Sequence, residues 1–169
     1  MIALNSILVA TDFSEPAGTA LRYGLELAKR FDARLHVLHV VDDLAAHPYT
    51  VLPGPPDVVA LQKDLEAESR ASLEALLPEP ARSASRALVD MVVSTSPAEA
   101  IMDFARDHQV DLIIIGTHGR RGLARVILGS VARHVSGAAP CPVLTVRAHE
   151  RDFVRPEAEA VDRVPSCDC

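Results

Sequence analysis

What the chain lacks narrows the options first. Its 169 residues contain three cysteines, and two of these lie in the last three positions. An odd count so placed does not make a disulfide framework, and a reducing cytoplasm is the expected compartment. There is no excess of positive charge: 17 Lys and Arg against 23 Asp and Glu give a net charge of -6. A surface of that sign has no electrostatic reason to coat nucleic acid. No apolar run approaches the ~20 residues that span a bilayer, so no membrane segment is expected. The opening MIALNSILVATDFSE has neither a basic n-region nor a small-residue cleavage site. It reads as a core strand rather than a signal peptide. A lysine in the context G-K-[ST] is also missing, which removes a Walker-type phosphate loop.

What is present fits one α/β domain. Apolar residues make up 49% of the chain and charged residues 24%, enough for a full core at this length. Ser6 to Thr11 reads as strand 1. Ser14 and Pro16 then open helix 1, whose stripe is Leu21, Gly24, Leu25 and Ala28, with Lys29 and Arg30 in its last turn. Strand 2 is Arg34 to Val41. A loop follows to Pro56, rich in proline from Pro48 onward. Asp57 caps helix 2, which runs to about Leu77 with Val58, Leu61, Leu65, Leu73 and Leu76 as its apolar positions. Strand 3 is Ala87 to Val93. Ser96-Pro97-Ala98-Glu99 has the pattern of a capping box, and helix 3 is expected to bury Ala100, Ile101, Phe104 and Ala105.

The informative stretch runs from Val110 to Val131. A strand buried on both faces, Leu112 to Ile115, breaks at Gly116. Glycines follow at 119, 122 and 129, and Ser130 comes directly after the last. A short helical turn is expected over 121–128, with helix 4 starting at Gly129-Ser130 and ending at Gly137 and Pro140. Pro142 to Arg147 is strand 5. The remaining residues, 148–169, hold six acids, three arginines and two prolines, and are expected to form an acidic, poorly ordered tail.

Alternating strands and helices imply a parallel sheet with right-handed crossovers. With strand order 3-2-1-4-5, the ligand crevice lies at the carboxyl ends of strands 1 and 4. Thr11-Asp12, Gly116-Thr117-His118-Gly119 and Gly129-Ser130 would all face it. The spacing G-x2-G-x9-G-S suits a backbone cradle for phosphate at a helix N-terminus. Four glycines in a loop can equally serve tight turns and close helix packing. His118 has no partner at triad or ligand spacing. Arg120, Arg121 and Arg125 read either as complements to a triphosphate or as a solvated face. His36 and His39 point to opposite faces of strand 2 and are expected to be half-buried. Cys141, between two prolines, reads as core. Cys167 and Cys169 could supply half of a zinc site, form a redox pair, or sit in a loose tail.

At this point the residues resemble the universal stress protein family. The likeness covers residues 2–147 and rests on ILVATDFSE, LHVV, IIIGTHGRRGLARVILGSVARHV and APCPVLTVR. It implies an open five-stranded parallel sheet of order 3-2-1-4-5 with helices on both faces, a Rossmann-type fold like that of the adenine nucleotide α-hydrolases. The domain would span 1–147 and the tail 148–169. Many members of the family dimerise through strand 5, here residues 142–147. Those with the intact glycine motif bind ATP, so the resemblance implies ATP, with Mg²⁺, as the ligand. Carried over by position, Ala10, Thr11 and Asp12 resemble the nucleoside contacts, and Val40 the backbone contact to adenine. Ile115 lies under the base or ribose. Gly116, His118 and Gly119 line the phosphate loop, and Gly129, Ser130 and Val131 resemble the triphosphate contacts. Ala10 departs from members with proline there. The expected role is a nucleotide-dependent regulatory protein with at most slow hydrolysis. The rival readings are an enzyme of adenylate chemistry, a nucleotide-independent interaction module, and a binder of another adenine nucleotide such as cyclic AMP.

Overall fold

A computed structural model describes residues 2–46, 57–78, 82, 86–117, 129–147 and 154. Five strands form one sheet: β1 (Ser6–Thr11), β2 (Arg34–Val41), β3 (Ala87–Val93), β4 (Leu112–Gly116) and β5 (Val143–Val146). All pairs are parallel, in the order β3-β2-β1-β4-β5. Among the described residues four helices alternate with them: α1 (Glu15–Phe31), α2 (Val58–Leu76), α3 (Pro97–Asp107) and α4 (Ser130–Ala138). A short 3-10 turn, Leu44–Ala46, occupies part of the stretch expected to be loop. Among the described residues no helix is long and apolar enough to cross a membrane.

The sheet has two buried faces because its central strands carry apolar side chains in both directions. Ile7, Val9, Leu35, Val37 and Ile114 point to one face, under α1 and the end of α2. Leu8, Ala10, Leu38, Ile113 and Ile115 point to the other, under α3 and α4. Ile7, Leu8, Val9, Leu35, Ile113 and Ile114 have no exposed surface. Each such side chain contributes about 1.5–3 kcal/mol of burial.

Local chemistry sets where the helices begin and end. Asp57 accepts the Ala60 amide at 3.1 Å and caps α2. Asp32, in the left-handed conformation at φ 53, closes α1, and Lys29 and Arg30 occupy the last turn. The Asp111 carboxylate accepts the amides of Asn5 (2.7 Å) and Ser6 (3.1 Å), tying the chain ahead of β4 to the start of β1.

Two expectations need correction, and α2 is more exposed than its apolar positions suggest. The capping box at α3 is not formed as such: the Ser96 amide donates to Ser94 Oγ at 3.1 Å, and Ser96 makes no side-chain cap. Leu61 is 45% exposed, because only Ser69 and Leu73 of α2 are buried. His36 is fully buried rather than half-buried.

Candidate functional site

The strand order reverses between β1 and β4, and the helices that follow these two strands leave to opposite faces. α1 packs in one apolar cluster and α4 in the other, so a crevice opens at the carboxyl ends of β1 and β4. Ala10 pairs in register with Ile115 of β4 and Leu38 of β2, and Val40 lies two residues beyond Leu38. Strand alternation therefore points Ala10, Val40 and Ile115 to the same face. All three join the cluster under α3 and α4, as does Val131 from the first turn of α4. Four of the residues singled out in the sequence thus belong to one apolar cluster.

Beside it stands the turn from β1 into α1. Asp12 Oδ1 accepts both the Ser14 amide (3.1 Å) and the Ser14 hydroxyl (2.5 Å). Asp12 therefore takes the helix-entry role expected of Ser14, whose own side chain makes no cap bond. Thr11 is buried, and its hydroxyl accepts the Phe13 amide at 3.1 Å. Phe13 has φ 63, an uncommon conformation for a bulky residue.

On the other side of the crevice, hydrogen bonds hold both ends of the glycine segment. The Thr117 amide donates to Val146 O at 2.8 Å, and the Gly129 amide donates to Thr117 O at 2.6 Å. Gly129 is the N-cap of α4 at φ -53 and ψ 152, without a side-chain cap, and Ser130 beside it is exposed. The first amides of a helix have no intrahelical acceptor, so this end of α4 suits an anion. Gly116 has a packing task. A Cβ there would lie 2.9 Å from Pro16 C and Ala17 N, so its missing side chain lets the first turn of α1 approach the end of β4. His118, Gly119, Gly122, Arg120, Arg121 and Arg125 lie outside the described residues, as do the proline-rich stretch 48–56 and Cys167 and Cys169.

The remaining candidates fall elsewhere. His36 Nδ1 lies 3.0 Å from Asp90 Oδ2, its ring meets Phe104 edge-on, and its buried Nε2 has no hydrogen-bond partner. This cluster sits under α3, away from the carboxyl ends of β1 and β4. Cys141 is half-buried. Burial pushes its thiol above the ordinary range, a hydrogen bond with the Ile113 backbone opposes this, and the Asp111 charge adds to the rise. A depression lined by Asn5, Asp32, Arg34, Arg86 and Leu88 lies at the amino ends of the strands, the wrong edge for the crevice. Its Arg86 is already paired with Asp32 at 3.0 Å. Among the described residues no three His, Cys, Asp or Glu side chains are grouped to hold a metal ion.

One residue at the crevice was missed in the sequence as a site residue. His39, opposite Thr11 in the β1–β2 register, donates from Nδ1 to Thr11 O at 2.8 Å and packs on Phe13 with ring centroids 4.4 Å apart. Its sequence signal was its position beside Val40 at the end of strand 2.

Comparison with known proteins gives a consistent result. Residues 4–147 match the profile of the Universal stress protein family. The chain is similar to universal stress protein MJ0531 of Methanocaldococcus jannaschii, at 32% identity over 88% of this chain and 85% of that protein. Among solved structures it is similar to universal stress protein UspA from Lactobacillus plantarum, with TM-score 0.74 and 30% identity over 87% of this chain and 100% of that one. It is also similar to the universal stress protein from Archaeoglobus fulgidus solved in complex with dAMP, with TM-score 0.56 and 25% identity over 86% of this chain and 99% of that one.

Proposed function

The chain belongs to the universal stress protein family, and from that membership we propose that it binds an adenine nucleotide, ATP with Mg²⁺, in the crevice between β1 and β4. The observation that carries this reading is the convergence of Ala10, Val40, Ile115 and Val131 in one apolar cluster beside the exposed start of α4. An adenine ring needs an apolar floor with a few polar groups at its edge, and a phosphate needs backbone amides. Thr11 and Asp12 would meet the nucleoside. Gly129, Ser130 and Val131 would meet the phosphates, with His118 and Gly119 completing the loop. The dAMP complex of the Archaeoglobus fulgidus relative supports the ligand class.

Mg²⁺ would arrive on the phosphates. It keeps several waters and needs only one or two carboxylates from the protein. Bound there, it would neutralise phosphate charge. In this reading hydrolysis is slow at most and the protein works as a nucleotide-dependent regulator in the stress response. Among the described residues β5 pairs with β4 alone and leaves an edge, and a homodimer through it is part of this reading. Sedimentation equilibrium reads the dimer directly, and a monomer at all concentrations removes that part.

Amide shift mapping on addition of Mg-ATP tests the site. Perturbations should concentrate at Ala10–Asp12, Val40, Ile115 and Gly129–Val131. A saturable response centred at the Arg34–Arg86 edge would refute the placement.

A further inference from the structure

The β1–α1 turn carries an unusual backbone, and one neighbouring side chain ties it down. Phe13 sits at φ 63, where a bulky L-residue is disfavoured and persists only if its surroundings hold it. Two of the contacts that hold it come from β2. The register places His39 directly opposite Thr11. A carbonyl oxygen only accepts, so at 2.8 Å from Thr11 O the His39 Nδ1 carries the proton and donates it. The same ring packs against the Phe13 ring at 4.4 Å. Thr11 and Phe13 flank Asp12, whose Oδ1 accepts the Ser14 amide and hydroxyl.

We propose that His39 is a positioning residue of the crevice: its Nδ1–H bond to Thr11 O and its ring against Phe13 hold the turn that aims Asp12 at the nucleoside. The inference rests on the nucleotide reading above and deepens it. His39 also precedes Val40 on β2, so one side chain couples the two strand ends that carry the base and ribose contacts. Losing a neutral hydrogen bond of this kind weakens the assembly it holds by about five- to tenfold. A ligand that needs the turn formed would lose affinity by that factor.

The test is calorimetric titration of Mg-ATP into the stripped wild-type chain and into His39→Leu, His39→Asn and Gly24→Ala. Amide exchange at Phe13 and Ser14 is followed without nucleotide in each. His39→Leu should bind about five- to tenfold more weakly and exchange faster at both amides. Asparagine places an N–H near where histidine Nδ1 stands, so His39→Asn should restore both. Gly24→Ala, which lowers stability from the opposite face of the sheet, should leave affinity unchanged. Unchanged affinity in His39→Leu overturns the proposal, as does faster exchange without weaker binding. Equal losses in His39→Leu and His39→Asn overturn it too, and so does a loss in Gly24→Ala that matches the loss in His39→Leu. Absence of binding by the wild type is a different failure: it removes the nucleotide reading itself and this inference with it.

Discussion

Gly24 lies in the middle of α1, where glycine ordinarily weakens a helix by about 0.8–1 kcal/mol relative to alanine. An exposed helical glycine replaced by alanine should therefore stabilise. The packing of α1 on the sheet reverses that sign. A Cβ at Gly24 would stand 2.4 Å from Val9 Cγ2 and 3.3 Å from Leu35 Cδ1, against the ~3.5–4 Å of an ordinary carbon contact. Val9 and Leu35 are completely buried, so neither methyl group can swing into solvent. Overpacking of this kind costs about 1–3 kcal/mol. Set against the helix gain, the net is about 0–2 kcal/mol of destabilisation, a fall of up to roughly 8 °C in Tm for a chain of this size. The assay is a double-mutant cycle by thermal and urea unfolding on wild type, Gly24→Ala, Val9→Ala and the pair. Val9→Ala removes the clashing methyl, so the pair should cost less than the sum of the singles by about 1 kcal/mol. A rise in Tm for Gly24→Ala, or additivity within about 0.5 kcal/mol, would refute the close contact between α1 and β1.

Two further outcomes follow from buried polar groups. Asp90→Ala removes the acceptor of His36 Nδ1 in a ring whose Nε2 already lacks a partner, and should cost about 1–3 kcal/mol in urea unfolding. Asp90→Asn keeps an acceptor oxygen and should cost less; equal losses would argue against the bond. The raised pKa of Cys141 leaves its thiol neutral where an ordinary cysteine has begun to ionise, so thiolate forms only as pH climbs above the usual range. Alkylation of Cys141, followed by peptide mass mapping from pH 7 to 9, should lag behind a free cysteine derivative throughout. A rate equal to the free thiol would contradict its burial.

Much of this architecture was readable because buried parallel strands announce themselves. β1, β2 and β3 begin and end where their apolar runs do, and the strand–helix alternation implies the parallel sheet. Gly24 and Ala28 appeared in the sequence as part of a stripe, yet only the structure reveals that Gly24 is there for Val9. Leu61 fitted the helical period of α2, but periodicity identifies a face and not how much of its length is covered. The caps were half legible. Sequence marks which residues can accept an amide near a helix start, while the choice between Ser14 and Asp12, or between Glu99 and Ser94, depends on which oxygen the folded turn brings within reach. Ala10, Val40, Ile115 and Val131 share one apolar cluster, and it was the resemblance, not any spacing, that singled them out together. Gly116 faces the backbone of α1, so the expectation that this glycine serves the phosphates meets a packing reason sufficient by itself. His39 was read only as a half-buried strand residue, because its bond runs to a backbone carbonyl one strand away, which no spacing encodes.

The account turns on whether the crevice holds an adenine nucleotide at the start of α4. Gly129 has φ -53 and ψ 152, a conformation open to other residues, so Gly129→Val should fold while placing a branched side chain where the phosphates would lie. Calorimetric titration of Mg-ATP into the stripped wild-type chain and into Gly129→Val, with circular dichroism to confirm the fold, is the most direct measurement. Saturable binding with one nucleotide per chain, lost or weakened by more than tenfold in Gly129→Val, is the predicted result. A folded wild-type chain that binds no adenine nucleotide, or a folded Gly129→Val chain that binds as tightly as wild type, would contradict it.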